Sequence, residues 1–238
     1  MNGLDWYDYG ARMYESDGLR WGQIDPRAEN TPEVSPYVYC NNNPIKASDP
    51  NGEKIIIWYK NRRGEDKAFI FTGFHRKNFI SCPNNSFVIA FLKSYIYNAR
   101  HGGGKNTIKA ANAPNITVHL EDANTVTDRV DKYHNNGDGD HIVCWDPTTG
   151  LKLTNGGRQS AATKLEHEFD HAVDDITNHR AHRNAQKNDG SRYDNPEEKR
   201  VIEGSEAQTA KGNGEGVRHN HRGTKYPTIS PTSIKEKK

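Results

Sequence analysis

The stretch LEHEFDHAVDD, residues 165–175, constrains this chain more than any other. It reads H-E-x-x-H at His167, Glu168 and His171, and side chains four apart lie one above the other only on a helix. There two imidazoles can address one ion, at about 2.0–2.1 Å each if the ion is zinc. Glu168 follows the first histidine, where its carboxylate reaches a water held by the metal instead of the metal itself and can take the proton lost on attack. The competing reading is a charged, solvated helix face, on which His and Glu also meet by chance. A catalytic zinc site needs a third protein ligand and a position left open, so another element has to decide between the two.

The segment NPEEKRVIEGSEAQTAK offers that element. Asn195 stands at a cap position and Pro196 at the first helical position, the arrangement that starts a helix. Glu197 and Glu198 follow, with Glu203 and Glu206 further on, Glu206 roughly two turns beyond Glu198. Acidic residues in a first turn also suit the helix dipole, and Glu198 sits where a capping-box glutamate would. The residues by themselves therefore leave Glu197, Glu198 and Glu206 open as third ligand. One turn after His171, Asp174 and Asp175 are placed to accept its other ring N–H or to face solvent. His179 and His182 read as surface histidines. Near the end, Arg218, His219, His221, Arg222 and Tyr226 make either a basic surface tail or a source of donors for developing negative charge.

Around these motifs the chain reads as a mixture of strands and helices. KIIIWYKNRRGEDKAFIFTG predicts two strands about a polar turn at 61–66, and NITVHLED and HIVCWDP (141–147) two more. A helix is expected from Asn85 or Ser86 to a stop at Gly102, and another opening at Ser160. TVTDRVDKYHNNGDGD reads as a short helix and loop, and residues 229–238 as a disordered tail. With 33 basic and 31 acidic residues, the net charge of +2 gives no broad field for nucleic acid or a membrane surface. Cys40, Cys82 and Cys144 are too widely spaced for a disulfide framework or metal knuckle and read as small buried thiols. No apolar run is long enough for a membrane span, and MNGLDWYDYG lacks the regions of a signal peptide.

Two resemblances add to this reading. YDYGARMY, GLRWGQIDP, SPYVYCNNNPI and DPNG, spread over residues 5–52, resemble the C-terminal end of the core in bacterial Rhs and YD-repeat shell proteins. That resemblance implies a β-rich Rhs core remnant over 1–52, a junction at 49–52, and a toxin payload delivered by a secretion system into a target cell. It also implies an Rhs shell in the parent chain and a cognate immunity protein. Self-cleaving relatives carry two D-P-x-G motifs, the second followed by Leu; here the first reads DPRA and Glu53 follows the second, so Asp25 and Asp49 stand as cleavage residues or as simple Asp-Pro turns.

GDHIVCWDP, LEHEFDHAVDD, NPEEKRVIEGSEAQTA and VRHNHRGTKYPT, within 139–228, resemble effector-type zinc metallopeptidases related to clostridial neurotoxin light chains. The resemblance implies an α+β zincin fold over 53–228, with a small mixed or antiparallel sheet and an active-site helix. It assigns zinc to His167, His171 and Glu198, and implies Arg218 and Tyr226 as stabilisers of the developing charge. It also implies HIVCWDP as the edge strand that pairs with a protein substrate. The expected function is a zinc-dependent endopeptidase toxin. An Rhs-linked His-metal nuclease drawing on RHNHRG, or a non-catalytic module closed by four zinc ligands, are the alternatives.

Overall fold

The computed structural model describes residues 6–8, 13–15, 20–23, 35, 54–73, 81–113, 115–125 and 130–237. Asp25, Asp49, Cys40 and the expected junction at 49–52 lie outside the described residues. Within residues 1–52, strands β1 (Trp6–Asp8), β2 (Met13–Glu15) and β3 (Arg20–Trp21) form an antiparallel meander.

The main layer is a mixed five-stranded sheet built from β4 (Lys54–Lys60), β5 (Asp66–Phe71), β6 (Thr117–Asp122), β7 (Lys132–Asn135) and β8 (His141–Trp145). Its order is β5-β4-β6-β8-β7, with β4, β6 and β8 parallel and an antiparallel strand at each edge. The alternation of side chains along a strand sends Ile55, Ile57, Phe69, Phe71, Val118, Leu120, Val143 and Trp145 to one buried face. Against that face pack helices α1 (Ser86–Arg100), α2 (Lys105–Asn112) and the long α3 (Ala161–Ala185). The result is an α+β fold with helices on one side of a mixed sheet.

The helix starts follow their caps. Asn85 accepts from the amides of Phe87 and Val88, and the Ser160 hydroxyl from that of Thr163. α2 has no side-chain cap of its own; Glu166 of α3 accepts from the amides of Asn106 and Thr107 at 2.7 and 3.1 Å. Burial raises the Glu166 carboxyl to about 7, although those hydrogen bonds favour its charged form.

Several expectations need correction. HIVCWDP is not an edge strand: β8 is flanked by β6 and β7, and the edge belongs to the short polar β7, in a segment read from sequence as helix and loop. The loop after Trp145 contains strands β9 (Thr149–Leu153) and β10 (Arg158–Gln159), which join β11 (Gly223–Pro227) in a second antiparallel sheet. Residues 229–237 are not a loose tail. The Ala162 amide donates to the Pro231 carbonyl at 2.9 Å, Lys237 N to Pro227 O at 2.9 Å, and Glu236 pairs with Lys152 at 3.1 Å. Backbone pairing of this kind does not need the apolar content that the composition lacks. No helix among the described residues is long and apolar enough to cross a membrane, and Cys82 and Cys144 are free thiols.

Candidate metal centre

Residues 161–173 of α3 are buried without interruption, so the H-E-x-x-H stretch is not a solvated face. Helical spacing brings His167 Nε2 and His171 Nε2 to 3.2 Å of each other. Opposite them lies α4 (Pro196–Val201), opened by Asn195 as expected, whose side chain accepts from the Glu198 amide. This start aims Glu198 at both histidines: its Oε2 is 3.3 Å from His167 Nε2 and its Oε1 3.5 Å from His171 Nε2. His221, in the loop before β11, brings Nε2 to 3.4 Å from Glu198 Oε2. Its ring lies parallel to that of His167, with centroids 6.1 Å apart.

Three observations fit a cation at this point. Nitrogen and oxygen ligands at about 2.0–2.1 Å from a tetrahedral ion stand about 3.3 Å from one another, close to the four separations above. Glu198 Oε2 is buried and accepts no well-directed hydrogen bond, although two imidazole nitrogens stand close to it. Each histidine is also gripped from behind at Nδ1 by a carboxylate, which turns Nε2 inward. The pairs are His167 with Glu206 at 2.7 Å, His171 with Glu197 at 3.0 Å, and His221 with Asp194 at 2.8 Å. His167, Glu198 and His221 form a group whose ligand atoms could meet on one metal ion, and His171 adjoins it through His167 Nε2 and the other oxygen of Glu198.

The third-ligand candidates separate cleanly. Glu198 faces the Nε2 atoms, whereas Glu197 and Glu206 each support a histidine from the far side. Glu206 leaves the face of Glu198 because a π turn over Ile202–Glu206, broken at Gly204, separates α4 from α5 (Ala207–Gly212). Ser205 in that turn hydrogen-bonds Asp170 of α3, and Arg200 pairs with Asp170 at 2.7 Å. Glu203 accepts from the Tyr193 hydroxyl at 2.7 Å, away from the histidines.

Electrostatics follow from the same pairs. Burial works against charge on His171, but Glu197 and Glu198 overcome it and push the imidazole up to about 10. Burial raises Glu198 and Glu206, yet the histidines hold Glu198 far below the usual carboxylate range, and Arg218 with His167 holds Glu206 near about 2. Glu168, 8% exposed, shifts the other way: burial raises its carboxyl, and the charges of His167 and His171 only partly offset this.

The remaining candidates are placed differently from their expected roles. Arg218 does reach the cluster, but its guanidinium is buried against Glu206 and stands 3.0 Å from His167 Nδ1, behind the imidazole. Tyr226 is not brought in: its hydroxyl donates to the Ile234 carbonyl at 2.7 Å and its ring lies beneath Lys152 and Arg158. Asp174 does not take the His171 N–H; it pairs with His182 at 3.1 Å, while Asp175 holds His179 at 2.7 Å and accepts from the Tyr133 hydroxyl. His182 is not a surface residue, with its side chain 1% exposed and Nδ1 3.0 Å from Glu197 Oε1. Asp174, His182 and Glu197 form a second group of metal-binding type, but Arg200 Nη2 already pairs with Glu197 at 2.7 Å. Sequence reasoning offered His221 only within the basic end of the chain and the RHNHRG of the nuclease alternative; its pairing with Asp194 depends on two loops meeting. No protein-family model, no curated protein and no solved structure matches the chain.

Proposed function

We propose that this cluster is the zinc centre of a metalloendopeptidase, with His167, His171 and Glu198 as ligands and Glu168 as general base. The observation that carries the reading is the convergence of both motif imidazoles on Glu198, with the buried carboxylate of Glu168 following the first in the helix. Zinc bound there supplies Lewis acidity, which makes a water nucleophilic near neutral pH and polarises a peptide carbonyl. Glu168 takes the proton from the attacking water and passes it to the departing amine. Glu206 and Glu197 hold the ligand imidazoles in one tautomer and orientation, and Arg218 neutralises Glu206. The sheet edge on the α3 side is β7, whose one open flank is suited to pairing with an extended substrate.

The Rhs-like segment supports the wider setting: a toxin domain carried by a shell, delivered into a target cell, cutting a protein there, and restrained in the producer by an immunity protein. A nuclease is the second reading, and His221 bears on it. The histidine of RHNHRG that reaches the cluster joins the H-E-x-x-H ligands and not a separate finger, which favours the peptidase.

Incubation of the protein with a mixed proteome and with plasmid DNA, each with and without a chelator, tests the proposal. Chelator-sensitive peptide cutting with intact DNA is expected. Glu168→Gln should keep zinc and lose about 10²- to 10⁴-fold in cleavage, whereas His171→Ala should lose metal and cleavage together. A Glu168→Gln protein that binds zinc and cuts at the wild-type rate would overturn the mechanism.

A further inference from the structure

The geometry points to His221 as a fourth, exchangeable zinc ligand that closes the centre in the resting protein and must leave before a substrate carbonyl or water can enter. This rests on the zinc-peptidase reading above and changes what its resting state looks like. Three ligands with an open position are what that chemistry requires, yet the chain offers a fourth imidazole on the same carboxylate.

His221 resembles the two motif histidines in every feature that orients a ligand. Its Nδ1 lies 2.8 Å from Asp194 Oδ2, as those of His167 and His171 lie on Glu206 and Glu197. A carboxylate against Nδ1 leaves Nε2 as the ring atom available to a metal, as at the other two histidines. Nε2 lies 3.4 Å from the buried Oε2 of Glu198, a separation suited to two ligands of one tetrahedral ion. The main chain reinforces the placement: the His221 amide donates to the Arg192 carbonyl at 3.0 Å and locks this loop to the one that carries Asp194.

It differs from them in how firmly it is held. The His167 and His171 side chains are 6% and 7% exposed and stand on a buried helix; that of His221 is 34% exposed and belongs to a loop. Its support is equally open, since the Asp194 side chain is 46% exposed. A ligand carried by two apposed loops can swing out without disturbing α3 or α4, and the other three ligands then leave one position free. The loop thereby makes occupancy of the catalytic position a competition between His221 and substrate.

Zinc-edge X-ray absorption of the full chain loaded with one equivalent of zinc tests the assignment without relying on turnover. Three imidazoles are expected in the wild type and two in His221→Ala, at equal zinc content. Asp194→Asn keeps a residue suited to the left-handed backbone at this position, φ 74°, and should loosen His221 alone, leaving zinc content unchanged and moving hydroxamate affinity toward that of His221→Ala. A simple hydroxamate should bind His221→Ala at least about tenfold more tightly than wild type, because no protein ligand has to be displaced. Two imidazoles in the wild type would overturn the fourth ligand and leave the peptidase reading standing. Three imidazoles with unchanged hydroxamate affinity would overturn its exchange. A wild-type protein that takes up no zinc would overturn both readings.

Discussion

On one side of α3, Leu165, Phe169, Ala172 and Val173 press into the sheet and its covering helices, none more than 3% exposed. On the other, His167, Glu168, Asp170 and His171 are at most 8% exposed and meet α4, the π turn and the loop carrying Arg218 and His221. Burial is nearly equal, but what holds each face is not. Apolar contact is non-directional and grows with the area removed from water, so the first face needs only partners of suitable shape. The second needs each charge matched by a particular atom, because a buried charge left unpaired costs several kcal/mol. One helix thus joins a half that packs by itself to a half whose Nε2 atoms and orphaned Glu198 oxygen call for a cation.

The largest expected effect tests the apolar half. Phe169→Ala should cost about 3–5 kcal/mol in urea unfolding, through lost transfer free energy and the cavity left beside Phe91. A cost under about 1 kcal/mol would mean that the face is not the tight core described.

Metal removal tests the charged half. Zinc at about a hundredfold over its Kd should stabilise the protein by about 2.7 kcal/mol. On chelation, amide exchange should accelerate across 195–222 while β4 and β6 keep their protection. Uniform acceleration across the chain would break the distinction between the two halves.

A third, smaller effect shows where the sheet half depends on charge. Asp146, just after β8, accepts from Thr148, Asn124 and Thr149. Burial pushes its carboxyl up, but these hydrogen bonds win and hold it at about 2, against 3.8 for an unperturbed group. Its contribution of about 2 kcal/mol is complete above about pH 4 and is lost as the pH falls through about 2. Asp146→Asn should flatten that part of the stability profile in acid unfolding titrations; an unchanged profile would remove the anchor.

The smallest concerns Tyr226. Tyr226→Phe should cost about 1 kcal/mol through the lost bond to Ile234 and leave cleavage within about twofold of wild type. A large loss of cleavage would restore Tyr226 to the active site.

Much of this arrangement is legible in the sequence. Two apolar runs about the polar turn at 61–66 predict β4 and β5, Asn85, Ser160 and Asn195 predict helix starts, and the spacing of His167 and His171 predicts a shared face. Each signal is carried within a few residues of chain, where steric and hydrogen-bonding preferences act directly. β7 escaped because KYHN has no apolar alternation and is held as a strand by its pairing with β8. α2 escaped because its cap comes from Glu166, sixty residues away, at 2.7 Å from the Asn106 amide.

The site divides along the same line. From sequence alone came a helix carrying two imidazoles and a base, and a second helix opening on Glu197 and Glu198, because periodicity and capping are local. Resemblance selected Glu198, and the fold is what places Glu198 on the Nε2 side and Glu197 and Glu206 behind. Only tertiary structure buried His182, withdrew Tyr226 to Ile234, and set His221 beside Asp194 and Glu198. Those outcomes depend on which loops and helices meet across long stretches of chain, and the charge of a side chain does not specify which opposite charge it will find.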